Sequence, residues 1–281
     1  IVTTSGSWAT GGALNTARNS LGGTGTQTAA LAFGGQPPNT AVTELYNGSS
    51  WTEVNDLNTA RNGPGGFGTS TSSLAYGGEG GAPNPKNETE LWNGTNWTEV
   101  NNLNNTGKYI GRAGTDSTAG LAVSGIGPDN STPVANVELW NGTNWTETTD
   151  VNTARDNLGG SGTSTAALAF GGTPPVKANT ELWNGSNWTE VNDLNTARYS
   201  GASASQNSTS TFYVGGSGTG VTEIWNGTNW TEEGDLNSAR SAVSGAGTAT
   251  AGLAFGGSGP TGATEEFTGA GASVTRTFTD S

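Results

Sequence analysis

Leu31-Ala32-Phe33-Gly34-Gly35 is a short apolar run cut off by two glycines, and it returns along the whole chain. It recurs as Leu74-Ala75-Tyr76-Gly77-Gly78, at Leu168–Gly172 and at Leu253–Gly257. Altered copies read Leu121-Ala122-Val123-Ser124-Gly125 and Phe212-Tyr213-Val214-Gly215-Gly216. The first glycine of each copy, or Ser124, steps by 43, 47, 47, 44 and 41 residues. Working outward, each copy is followed by a segment such as Thr89-Glu90-Leu91-Trp92, then Asn93-Gly94-Thr95-Asn96, then Trp97-Thr98-Glu99-Val100. A Leu-Asn-Thr-Ala-Arg stretch closes the unit, as at Leu57–Arg61.

Each unit reads as four short strands. Strand a follows the arginine, strand b is the apolar run, strand c carries Glu-Leu-Trp and strand d begins at the second Trp. The Asn-Gly link between c and d is a tight-hairpin signal, because both residues tolerate positive φ at little cost. Four strands in a repeat of about 45 residues indicate blades set radially around a channel. The expected fold is all-β: a six-bladed β-propeller with four antiparallel strands per blade, in one domain over residues 1–281. Trp8 stands six residues before Leu14, as Trp51 stands before Leu57, whereas Ala272 holds the corresponding C-terminal place. Residues 1–10 are therefore expected to complete the last blade, with Ser7–Thr10 beside Ala263–Phe267. Residues 272–281 then form an edge strand or a linker.

Double glycine after an apolar strand, Glu and an aromatic on the next, Trp on the fourth and Arg before the next blade resemble the kelch repeat. The resemblance covers essentially the whole chain. Tyr46 and Trp51 are five residues apart, a tighter c–d hairpin than kelch repeats usually show. The wording Trp140-Asn141-Gly142-Thr143-Asn144-Trp145-Thr146-Glu147 is also similar to kelch-like repeats in structural proteins of marine tailed bacteriophages. That second resemblance implies a virion structural role.

Composition narrows the function. With 31% apolar residues and 47 Gly the chain approaches the balance of a disordered one, but its ten Trp are periodic and each buries a large area. There is no Cys, His or Met, which removes disulfides, thiolate nucleophiles, imidazole bases and Cys/His zinc sites. The redox compartment stays open. A net charge of −13 with no basic patch argues against nucleic acid and anionic membrane as partners. No apolar run approaches the ~20 residues of a membrane span. The opening Ile1-Val2-Thr3-Thr4 reads as a processed product or a piece of something longer.

Six basic positions, Arg18, Arg61, Lys108, Arg155, Arg198 and Arg240, lie 13 residues before the strand-b leucine, or 14 before Phe212. Six acidic ones, Glu44, Glu90, Glu138, Glu181, Glu223 and Glu265, open strand c. One of each per blade suits a structural ion-pair ring better than an ion-binding channel, and Lys108 should give the weakest pair because it lacks the guanidinium fork. The Asn-X-Ser/Thr sequons at Asn93, Asn96, Asn141, Asn144, Asn184 and Asn187 read as turn chemistry, with glycan attachment the other reading. Glu53, Glu99, Glu147, Glu190 and Glu232 read as solvated outer-strand faces. Asp56, Asp193 and Asp235 are carboxylates in d–a loops, without the dense alternation of a calcium loop. No metal and no cofactor are expected.

Catalysis finds little support. Among kelch propellers the copper radical oxidases of the galactose oxidase type need His and a Cys-crosslinked Tyr, and both are absent here. A propeller hydrolase wants a Tyr nucleophile with clustered Arg, but Tyr109 and Tyr199 lie in different blades with only Arg112 to spare. The chain reads as no enzyme. Three binding classes remain open: a virion or extracellular adhesion module meeting a host-surface glycan or protein receptor or other virion subunits, a lectin-like carbohydrate binder, and an intracellular adaptor. A rigid spacer without ligand is the plain alternative. An acidic surface rich in Thr, Ser, Asn and Gly favours an extracellular or virion-surface location.

The c–d links barely change between blades, whereas the b–c links differ, as in Gln36-Pro37-Pro38 and Gly127-Pro128-Asp129-Asn130. The residue after each basic position also varies: Asn19, Asn62, Tyr109, Asp156, Tyr199 and Ser241. Any ligand is therefore expected on the b–c/d–a face, with Tyr109 and Tyr199 as anchors.

Overall fold

The computed structural model describes residues 5–82, 84–203 and 207–270, and every regular element among them is a strand. The strands form six sheets of four antiparallel strands, each in the order a-b-c-d. Blade one runs Gly22–Thr26, Ala29–Phe33, Thr43–Tyr46 and Trp51–Val54, and blades two to five repeat the pattern. Blade six takes strands a to c from Ser244–Gly247, Ala251–Phe255 and Thr264–Thr268, and its outer strand from Ser7–Thr10. Trp8 pairs with Phe267 there, so the N-terminal strand closes the ring as expected, one residue along from the anticipated partner. The expected edge strand or linker over 272–281 falls outside the described residues. Together the six blades form a β-propeller.

The two glycines after strand b have local causes. Gly34 sits at φ 65, and a Cβ there would meet the Arg61 carbonyl oxygen at 2.6 Å. The inner strand is glycine-rich because the strand-b aromatics lie on it: a Cβ on Gly22 would meet the Phe33 ring at 2.2 Å. In blade three Ser124 accepts the same positive φ, at 56.

The hydrophobic core lies between neighbouring blades, not within them. Trp51 of blade one packs on Phe255 of blade six with centroids 4.9 Å apart, and Trp97 of blade two packs on Phe33 at 5.1 Å. Each strand-d Trp also needs a partner for its buried indole N–H. Trp51, Trp97, Trp145, Trp230 and Trp8 donate to the hydroxyls of Thr264, Thr43, Thr89, Thr180 and Thr222, one blade back, at 2.9–3.1 Å. These are the threonines of Thr-Glu-Leu-Trp, so one residue type both starts strand c and latches the next blade. In blade three Val137 replaces the threonine, and Trp188 donates instead to the Thr149 carbonyl at 3.1 Å.

Candidate functional site at the channel mouth

The d–a loops build the mouth of the channel from a set of buried hubs. In blade one the Glu44 carboxylate accepts the Asn15 backbone N–H at 2.7 Å and its amide at 2.9 Å, while that amide also reaches the Trp51 carbonyl. Arg18 joins Glu44 from the other side and donates to the Gly34 carbonyl at 2.9 Å. Asn58, Asn104, Asn152, Asn195 and Asn237 repeat the asparagine contact on Glu90, Glu138, Glu181, Glu223 and Glu265. The sequence reading missed these six asparagines. Their signal was the unvarying Asn after the loop leucine, or after Val151 in blade four.

Arg61 pairs with Glu90 at 2.6 Å, Arg240 with Glu265 at 2.5 Å, and Arg198 with Glu223. Arg155 lies 3.1 Å from Glu181, with its hydrogen bonds directed to the Asn179 and Ala169 carbonyls instead. These groups sit between strands and do not face an open channel. Burial holds the Arg61 and Arg155 guanidinium groups below the ordinary arginine value, while the neighbouring carboxylates push the other way.

Lys108 does not belong to this ring. The backbone N–H after strand b bonds the arginine carbonyl of the next loop in the other blades, as Gly35 does with Arg61, but Gly78 bonds Gly107. Gly107 therefore holds the arginine place, and Lys108 the place of Asn19, Asn62, Asp156, Tyr199 and Ser241. Its ammonium pairs with Glu79 at 2.7 Å, leaving Glu138 without a cation within ion-pairing distance among the described residues. The spacing misled because the a–b hairpin of blade three carries one extra residue, seen as a register shift between Gly114 and Asp116. Counting back from Leu121 then lands one residue late.

Tyr109 consequently moves one place inward and joins a ring that the spacing had hidden. Ser20, Gly63, Tyr109, Asn157, Ser200 and Ala242 all have φ between 51 and 59. Within the ring, the N–H groups of Ser20, Gly63, Tyr109, Asn157 and Ser200 each donate to the carbonyl of the preceding member, at 2.7–3.1 Å. This backbone circle, with five of its six joints hydrogen-bonded, frames a depression of about 100 Å³ lined by all six residues. Tyr109 leans over Gly63, where a Cβ would meet its ring at 2.5 Å, and its hydroxyl donates to the Asn62 amide oxygen at 3.2 Å. Burial raises the Tyr109 hydroxyl above the usual tyrosine value, and the Glu79 and Asp156 carboxylates add to the shift.

The outer ring holds the remaining candidates. Asn62 reaches the Asn39 side chain in a b–c loop at 2.7 Å, and Ser241 reaches Ser258 at 3.2 Å. Backbone bridges Asn19–Gln36, Asn62–Glu79 and Asp156–Thr173 tie the d–a and b–c loops to one face. Asp156 is buried, which raises its carboxyl. Tyr199 is half-buried in this outer ring, so the two tyrosines are not equivalent.

Below the mouth, Arg112 crosses the channel. Its guanidinium donates to the carbonyls of Gly245 at 2.9 Å, Ser203 at 3.2 Å, Gly66 at 3.3 Å and also Gly23, which belong to four other blades. Burial pushes its pKa down to about 10, still charged at neutral pH. A second depression of about 100 Å³ surrounds it.

The other sequence candidates have structural occupations. Asp56, Asp193 and Asp235 accept the first N–H of strand c from Thr43, Thr180 and Thr222. No cluster of three or more His, Cys, Asp or Glu placed to hold a metal occurs among the described residues. Asn93, Asn141 and Asn184 accept two N–H groups of their own turns. Asn96 and Asn144 accept the amides of Asn55 and Asn101 from the preceding blade. Compared with known proteins, the chain matches no family model and no curated protein.

Proposed function

We propose that this propeller is a non-catalytic recognition module, of kelch type, that takes a polar ligand at the channel mouth. The observation that carries the reading is the circle of Ser20, Gly63, Tyr109, Asn157, Ser200 and Ala242. One backbone geometry there brings a residue from each of the six blades to a single depression. Hydroxyls, amides and one aromatic around a shallow concavity suit a sugar or a short polar peptide. The acidic surface and the phage-like wording favour a host-surface glycan or protein receptor, and an extracellular or virion-surface setting.

A specific observation favours a second reading, a rigid spacer without ligand. Many polar groups at the mouth already satisfy one another: the Ser200 hydroxyl donates to the Asn157 side chain at 2.8 Å, and Tyr109 to Asn62. A glycan array separates the two. The recognition reading expects wild-type binding to a defined set of sugars, lost in the Tyr109→Ala, Tyr199→Ala double variant, which still melts cooperatively at a somewhat lower temperature. Binding that survives the double variant moves the site elsewhere, and an array silent for both proteins supports the spacer.

A further inference from the structure

We infer that blade three contains a binding pocket for a small nitrogen cation, an ammonium or guanidinium group, formed where the chain replaces an arginine by Gly107. Five blades fill this place with an arginine side chain, and its partners are known from those blades. Arg18 meets Glu44 and the carbonyls of Gly34 and Ala32; Arg61 meets Glu90 and the carbonyls of Gly77 and Glu88. The register of blade three puts Glu138, Ser124, Ala122 and Asn136 in the corresponding positions.

Those four residues line a cavity of about 30 Å³ together with Gly107 itself. By volume it has room for about two waters, enough for an ammonium group. Glu138 is 4% exposed. Its carboxylate is held by N–H donors alone, from Asn104 and Asn105 at 2.8–3.1 Å, with no cation beside it among the described residues. Neutral donors leave the Glu138 carboxylate without a charged partner, and an N–H cation in the cavity would meet it with charge-assisted bonds. Leu103, Ile126 and Val134 supply an apolar wall that suits an alkyl stem behind the cationic head.

The Asn104 and Asn105 amides report on the site directly, because both donate to the Glu138 carboxylate. Ammonium chloride, methylguanidinium chloride and tetramethylammonium chloride are titrated in turn into ¹⁵N-labelled protein at constant ionic strength. The pocket predicts saturable shifts of these two amides with ammonium or methylguanidinium and none with tetramethylammonium, which has no N–H to donate. Gly107→Arg, which fills the cavity from within, and Glu138→Gln, which removes its charge, should each weaken the response at least tenfold. A response equal for all three salts, or unchanged in both variants, overturns the inference.

Discussion

At the scale of single residues, the ring depends on pairs that join one blade to the next. The Trp97 indole N–H and the Thr43 hydroxyl are both buried, so Thr43→Val removes the acceptor and turns the donor to a backbone carbonyl, as Trp188 turns to Thr149 beside Val137. The expected cost is about 0.5–1.5 kcal/mol by chemical denaturation, and a variant as stable as wild type would contradict the latch. Gly107→Arg tests the opposite direction. It supplies the missing partner of Glu138 and removes a flexible glycine, while Ile110, whose tip lies 3.1 Å from the new Cβ, must shift. A gain of about 1–2 kcal/mol is expected. Lys108 and Glu79 give a pH signature. The hydrogen bond from Lys108 holds the Glu79 carboxyl below its ordinary value. A lowered acid contributes stability above the ordinary glutamate range and loses it as pH falls through the folded value. Glu79 is 26% exposed, so the contribution is below about 1 kcal/mol. Glu79→Gln should therefore be slightly less stable than wild type near neutrality and equal to it in acid; a constant gap across the titration would refute the assignment.

At the scale of elements, strand d of blade six is the test of closure. Ser7–Thr10 pairs with Thr264–Thr268, and Trp8 sits 5.0 Å from Phe267 and donates to Thr222 of blade five. Removing residues 1–10 would expose the edge of strand c and open the core between blades five and six. Trp8→Ala alone should cost about 3–5 kcal/mol, as much as the same change at Trp51. A loss under about 1 kcal/mol would mean that the ring closes by other contacts. The element scale also shows what was legible in advance. Strand order, blade number and closure were readable because Trp and the double glycine recur with the strands they mark. Blade three was misread because an added residue in its a–b hairpin conserved the spacing between a basic residue and Leu121. Aligning Leu103-Asn104-Asn105-Thr106-Gly107 directly with Leu57-Asn58-Thr59-Ala60-Arg61 exposes the substitution. The circle of positive-φ residues was not legible, because Ser, Gly, Tyr, Asn and Ala share no side-chain property; only the backbone unites them.

At the scale of the whole molecule, Arg112 and the mouth belong together. Inner strands of a propeller leave edge carbonyls facing the axis, and here one guanidinium satisfies four of them from blades one, two, five and six. Arg112→Met should lower stability by about 1–3 kcal/mol, moderated because water can enter the channel in its place. Unchanged stability would reduce Arg112 to a filler. The larger claim is that the faithful repeats on the c–d side hold the ring while the varied d–a loops recognise a ligand. Its most direct test is an NMR footprint on ¹⁵N-labelled protein, using a sugar that binds on the array. The account predicts that shifted amides cluster on Ser20, Gly63, Tyr109, Asn157, Ser200 and Ala242 and their outer neighbours. A footprint centred on the c–d turns at Asn93, Asn141 and Asn184, or on the outer strands at Glu53 and Glu99, would contradict it.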